Sequence, residues 1–285
     1  MEVGIGLPAT IPGVDRRSLI DWAREGEELG FSCLGVIDRL VYPNYEPLVA
    51  LGAAAAVTES IRLTTAILIA PIRRAAIVAK QAATLDNLSG GRLVLGLGLG
   101  GRDDDYAAAG VPVSGKGVRF DEQLGEMRSI WAGEPKGTAG PVGPPAVRER
   151  PQVIVGGSVE ASFRRAAQWD GWIMGGGTPD QLAEGREGVE RAWQESGRNG
   201  KPRIMAIAYF SLGPEARKNA DWYLGDYYGF LGEELAGQIA GSAAVDEDMV
   251  KQYVQGFDAA GCDELILFPC STDVEQVRML AAALP

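Results

Sequence analysis

Gln81-Ala82-Ala83-Thr84-Leu85-Asp86-Asn87-Leu88-Ser89-Gly90-Gly91-Arg92-Leu93-Val94-Leu95-Gly96-Leu97-Gly98 is the stretch that decides the fold. Its centre, Ser89-Gly90-Gly91, is a turn signal, because glycine reaches backbone angles that side chains resist. Upstream, from about Ala75 to Leu88, apolar residues recur at helical spacing. Downstream, Arg92–Leu97 is apolar on both faces, as a strand buried on both sides must be. A helix that turns tightly into such a strand belongs to a parallel α/β fold.

Outward from that stretch the same alternation covers the chain. Towards the N-terminus, strands are expected at Val3–Leu7, Cys33–Ile37 and Arg62–Ile69, with helices over about 15–29 and 47–57. Pro47 stands at a first helical position, where its missing N–H costs nothing. Past Gly98 an irregular charged stretch runs to about Gly117, followed by a helix from about Phe120 to Trp131. Prolines 135, 141, 144, 145 and 151 mark 133–151 as a surface excursion. Further strands are expected at 152–155, 172–174, 203–212 and 264–268. Helices are expected over 159–168, 180–195, in two pieces across 214–242, and over 246–260 and 273–283. Eight strand–helix units close into a barrel. The fold class is therefore α/β, a (β/α)8 barrel in one domain over 1–285. A doubly wound open sheet is the alternative.

Composition narrows the function. With 285 residues, 46% of them hydrophobic and 23% charged, the chain is neither disordered nor fibrous. A net charge of -11 argues against nucleic acid and against anionic lipid as partners. Cys33, Cys262 and Cys270 form no CxxC pair, which fits a reducing compartment and buried packing roles. The N-terminus lacks a basic leader, and no apolar run is long enough for a membrane span, so a cytoplasmic location is expected. There is no histidine. That removes His-based triads, His-ligated metals and a His base, and no metal is expected. Chemistry falls to carboxylates, Tyr, Arg, backbone groups or a cofactor.

In such barrels the chemistry sits at the C-terminal strand ends. Glycine is concentrated at three of them: Gly98 and Gly100 after the fourth strand, Gly156-Gly157-Ser158 after the fifth, and Gly175-Gly176-Gly177-Thr178 after the sixth. The last two precede helices, whose N–H groups bind phosphate well, so together they make a phosphate cradle or, separately, tight turns. Asp38 and Arg39 end the second strand, as rim ion pairs or as substrate contacts. Tyr42 and Tyr45 are rim packing or a stacking surface for a planar ring. Asp103–Asp105 reads as a solvated charge run. The aromatic 213–245 region, with Trp222, Tyr223, Tyr227, Tyr228 and Phe230, shapes a mouth for a planar or apolar small molecule.

The 81–98 stretch resembles the signature of the bacterial-luciferase-like flavin-dependent oxidoreductases. Glu28-Leu29-Gly30-Phe31, Gly110-Val111-Pro112, Arg119-Phe120-Asp121-Glu122, Val153-Ile154-Val155-Gly156-Gly157-Ser158 and Asp170-Gly171-Trp172 agree with it. The resemblance implies a TIM-like barrel with an insertion after the fourth strand, and FMN, or alternatively the deazaflavin coenzyme F-420, at the strand ends. Gly156, Gly157, Ser158, Gly175, Gly176 and Thr178 would hold the phosphate. Ile69, Ala70 and Pro71 would back the ring, near a non-proline cis bond that relatives often carry. It also implies a homodimer, and allows a separate flavin reductase as partner. Relatives commonly have Asp-His where this chain has Asp38-Arg39, so the acid/base role is not inherited. The first expectation is a monooxygenase using reduced FMN on a small organic substrate, with Arg39 or Arg73 stabilising an anion and Tyr42 supplying a proton. The second is F-420-dependent hydride transfer, with Arg73, Arg74 and Lys201 as candidates to meet the longer anionic tail. A third is a barrel that binds flavin without catalysis.

Overall fold

Strand pairing begins and ends on the first strand, so the sheet has no edge. A computed structural model describes residues 1–285, the side chain of Ala139 excepted. The strands are β1 (Glu2–Gly6), β2 (Cys33–Val36), β3 (Arg62–Thr65, resumed at Leu68–Ile69), β4 (Leu93–Gly98), β5 (Gln152–Gly156), β6 (Gly171–Met174), β7 (Arg203–Phe210) and β8 (Glu264–Pro269). Each pairs in parallel with its sequence neighbours, and β8 closes onto β1 with Val3 opposite Leu265. The predicted barrel is the observed one, and the open sheet is excluded.

Alternation along each strand divides the core in two. On β2, Leu34 and Val36 face the outer layer with Trp22 and Leu51, while Cys33 and, just beyond, Ile37 face the barrel interior with Ile154, Met205 and Ile266. Small residues make that interior possible. A Cβ at Gly96 would lie 1.9 Å from the Thr65 carbonyl oxygen, so β4 reaches β3 only as glycine. Cβ atoms at Gly6 and Gly35 would meet the Phe268 ring at 2.2 and 3.0 Å, so that ring fills the space they leave.

The outer layer comprises α1 (Arg16–Glu28), α2 (Pro47–Ala55), α3 (Ala75–Leu88), α4 (Asp103–Ala108), α5 (Lys116–Trp131), α6 (Glu160–Ala166), α7 (Pro179–Glu195), α8 (Ala216–Tyr228), α9 (Glu233–Gly241), α10 (Glu247–Ala259) and α11 (Glu275–Ala283). Side chains close several N-termini: Asp15 accepts from Ser18 N, Glu46 from Val49 N and Asp246 from Met249 N. The insertion after β4 carries α4, α5 and the proline-rich excursion. That excursion is tied to α3, where Lys80 Nζ donates to Gly143 O at 2.6 Å and Val147 N donates to Asp86 at 2.9 Å.

Two expectations need correction. The 98–117 stretch is not wholly irregular, because Asp103–Ala108 is helical. The third strand is interrupted, and the Ala66–Ile67 peptide at the break is cis, two residues before the position the resemblance suggested.

At the N-terminal end of the barrel the fully buried Glu264 carboxylate accepts from Ser32 Oγ at 2.5 Å, Arg62 at 2.7 Å and Arg203 at 3.0 Å. Burial works against its charge, but these donors outweigh burial and hold its pKa below the usual value. The end opposite the proposed site is thereby sealed. No helix among the described residues is long and apolar enough to cross a membrane.

Candidate active site at the barrel mouth

The C-terminal mouth has two unlike halves. The ends of β4, β5 and β6 form a glycine half. There Ile67, at the break in β3, lies against its neighbours: a Cβ at Gly98 would meet it at 2.9 Å and one at Gly156 at 3.0 Å. Gly100 sits against Ile69 in the same way, at 2.9 Å. Gly175 and Gly176 are exposed, and a Cβ on either would meet nothing within 4 Å. Gly176 has φ +112°, a conformation that side chains resist. Beside it is a pocket of about 460 Å³ lined by Ser158, Phe163, Trp172, Gly176, Gln181 and Glu184, among others. Trp172 forms its inner wall, its indole N–H donating to Gly157 O at 2.6 Å.

This half fits the phosphate end of a flavin-type cofactor in shape. Open glycine backbone offers N–H groups and room, the kind of surface a phosphate uses. Two details revise the expected donors. Thr178 is committed to a capping box on α7, its Oγ1 accepting from Gln181 N and its N–H donating to Gln181 Oε1 at 2.9 Å. Glu184 places a carboxylate in the pocket wall. Phosphate would therefore be held by backbone at Gly157, Ser158, Gly175 and Gly176, not by a cation or by the Thr178 hydroxyl. Ile69, Ala70 and Pro71 are buried. Half-buried Ile67 is the side chain that faces the mouth, and the residue the sequence reading missed.

The other half is built from Arg39, Tyr42, Tyr209 and α8. Period-two alternation separates the Asp38–Arg39 pair. Asp38 points away from the mouth and pairs with Arg73 at 2.5 and 3.1 Å, while accepting from Ile69 N at 2.8 Å. Burial pushes its pKa up, against the pull of Arg73. It fixes the end of β3 through Ile69 N and Arg73.

Arg39 follows Cys33, Gly35 and Ile37 inward. Its side chain is 4% exposed, with Nε 3.2 Å from Asp105, Nη2 2.7 Å from Val41 O and 3.3 Å from Asp104, and Nη1 without a partner. The guanidinium stacks on Tyr42 and Tyr227 at 5.3 and 5.6 Å. Asp105 is not the solvated residue expected: it is 1% exposed and accepts from Leu40 N and Val41 N, fixing the β2 loop.

Tyrosines of α8 cover the remaining mouth. Tyr223 OH bonds Thr10 Oγ1 at 2.7 Å, Tyr228 OH bonds Tyr209 OH at 2.8 Å, and Tyr42 OH donates to Asp226 at 2.6 Å. Arg102 donates to Tyr227 O and lies 3.6 Å from the Phe230 ring centre. Burial raises the pKa of Tyr42, Tyr209, Tyr223 and Tyr228, so they stay protonated at neutral pH. Of the cations suggested for a long tail, Arg73 and Arg74 line one pocket of about 750 Å³ together with Arg119, beside the end of β3. Lys201 sits at the opposite end of the barrel, beside Asp263, and Arg73 is committed to Asp38.

A closed parallel barrel with its open glycine ends and buried polar side chains gathered at one mouth is an enzyme-type barrel. The chain belongs to the luciferase-like monooxygenase family, whose model matches residues 1–261. The family is one of oxidoreductases with F420- and FMN-dependent members. An uncharacterized protein of Mycobacterium tuberculosis is 32% identical over 222 residues, covering 66% of this chain and 76% of the relative. The F420-dependent glucose-6-phosphate dehydrogenase of Kribbella flavida is 27% identical over 217 residues, covering 67% and 65%. Two solved structures share the fold. Monooxygenase RslO1 from Streptomyces bottropensis has a TM-score of 0.79 at 23% identity, covering 99% of this chain and 98% of that one. An F420-dependent secondary alcohol dehydrogenase in complex with an F420–acetone adduct has a TM-score of 0.79 at 19% identity, covering 99% and 97%.

Proposed function

We propose that the protein is a cofactor-dependent oxidoreductase that transfers hydride between deazaflavin F-420 and a small organic substrate at the barrel mouth. The observation that carries this reading is the buried Arg39 guanidinium, stacked on the Tyr42 and Tyr227 rings with Nη1 unpartnered. When bound, the reduced cofactor supplies the hydride. The glycine half would hold its phosphate and Ile67 would lie against its ring. Arg39 places positive charge where negative charge develops as a carbonyl or conjugated alkene is reduced. The Tyr42 hydroxyl stays protonated, its ring stacked on the Arg39 guanidinium, and is the candidate proton source. Neither role needs histidine. The Kribbella flavida relative, named for F420, supports the choice of cofactor.

FMN-dependent monooxygenation is the second reading. The burial of the tyrosine half favours it, because water exclusion is the main task of that chemistry. Titration of the protein with F-420 and with FMN, followed by Trp fluorescence, separates the two, since Trp172 lies against the phosphate turn. We expect saturable quenching by F-420 and affinity for FMN weaker by about tenfold or more. The reverse order would replace hydride transfer by the monooxygenase reading. Saturable binding with no turnover would favour a flavin-binding barrel, and binding of neither cofactor would overturn both enzymatic readings.

A further inference from the structure

We propose that Arg39 and Arg102 form an anion subsite in the tyrosine half of the mouth, shaped for the carboxylate of a small planar substrate. This rests on the oxidoreductase reading and names its substrate class. Three observations carry it. First, Arg39 is charged, 4% exposed and has one donor nitrogen unpaired, while its other two are used. A buried charged donor without an acceptor is costly, and a ligand oxygen would relieve that cost. Second, Arg102 makes no ion pair among the described residues. It is held over Tyr227 and Phe230 at 5.2 and 3.6 Å, and one nitrogen donates to Tyr227 O. Both guanidinium groups therefore pack around the same Tyr227 ring, with no carboxylate of their own on Arg102. Two planar guanidinium groups suit a carboxylate, which accepts from both.

Third, the walls are aromatic. Tyr42 and Tyr227 meet edge to face at 5.1 Å, and Tyr227 and Tyr228 at 5.0 Å. Such walls take a flat ring in offset or edge contact. Asp104 already pairs with Arg39 Nη2 at 3.3 Å, and Asp226 accepts from Tyr42 OH on the exposed rim, so a ligand anion competes with resident carboxylates and binding is modest in strength and weakened by salt. Tyr227 lies over Arg39, so occupation of the subsite requires that ring to shift.

The test uses the full chain without cofactor, titrated with benzoate by calorimetry at low salt. Benzamide serves as the uncharged match, acetate as the anion without a ring, and inorganic phosphate as the alternative anion. We expect saturable benzoate binding. Benzamide and acetate should each bind at least about tenfold more weakly, and Arg102→Gln should weaken benzoate by about the same factor. Arg39→Lys keeps the charge beside Asp105 but lacks the free nitrogen, and should also lose affinity. Thermal melts of both variants show whether they fold. Equal binding of benzamide, unchanged affinity in folded Arg102→Gln, tighter binding of phosphate than of benzoate, or no saturation would each overturn the proposal. F-420 and FMN titrations on the same samples keep the two readings apart. Cofactor binding without benzoate binding removes only the subsite, and benzoate binding without cofactor binding removes only the cofactor reading.

Discussion

Asp105 holds the mouth together through one carboxylate. It faces the buried Arg39 and accepts from two backbone N–H groups of the β2 loop. Asp105→Ala would leave the buried guanidinium with only the exposed Asp104 carboxylate and two loop N–H groups without their acceptor, a loss of about 2–4 kcal/mol. Urea unfolding should show a loss of that size. Glu27 does comparable work at the far end of α1. Burial raises its pKa, but the N–H groups of Ser60, Ile61 and Glu59 and the Ser60 hydroxyl prevail and hold it at about 2. Glu27 therefore binds fewer protons folded than unfolded. Its contribution is complete above the ordinary value of 4.5 and is lost as pH falls from there towards 2. With solvent screening, Glu27→Gln should cost on the order of 1–2 kcal/mol near neutral pH. The gap between variant and wild type should close as the pH is lowered through that window. No pH dependence of the gap would show that the carboxylate charge is not what anchors the loop. At this scale the sequence was only partly legible. Asp38 and Arg39 were both singled out, yet the two-residue period of β2 separates them into an outward brace and an inward cation, and that signal was available beforehand. Asp105 was hidden because nothing local distinguishes it from Asp103 and Asp104. Its burial depends on a loop 64 residues away.

The strands show why some glycines cannot be replaced. Gly96→Ala would drive a Cβ to 1.9 Å from a β3 carbonyl, and backbone cannot move aside as a side chain can. We expect a loss of about 3 kcal/mol or more, or failure to fold. Gly101→Ala, a few residues along the same segment, meets nothing within 4 Å and should stay within about 0.5 kcal/mol of wild type in the same melt. Element order was the most legible level, since each strand is a short run apolar on both faces and most helices open on a Pro, Asp, Glu or Thr signal. The break in β3 was not. Arg62–Ile69 reads as one apolar strand, and its interruption is set by where Ile67 must sit over the glycines of β4 and β5. The short helix α4 was likewise lost behind its three acidic residues, although acids in a first turn are a favourable signal.

At the scale of the molecule the barrel is sealed at one end by the Glu264 cluster and specialised at the other. Apolar side chains are also exposed on the flank formed by α2 and α3. Val49 of α2 and Ile77 and Leu88 of α3 are 69%, 55% and 72% exposed, and small residues Gly52 and Ala53 lie beside Val49. We propose that this face meets a second copy of the chain. Light scattering at micromolar concentration should give twice the 30.2 kDa chain mass, and Ile77→Asp should return it to one. A single-chain mass for the wild type would reject the dimer.

The tyrosine half has a consequence for how new specificities arise on this scaffold. Nearly every group that shuts it from above comes from one uninterrupted stretch, Ala216 to Leu231, whereas the glycine half is contributed by separate strands. On the proposed reading, transplanting that single stretch between related barrels should exchange what the mouth accepts while sparing the glycine half. Selection can thus diversify the repertoire of such proteins one cassette at a time.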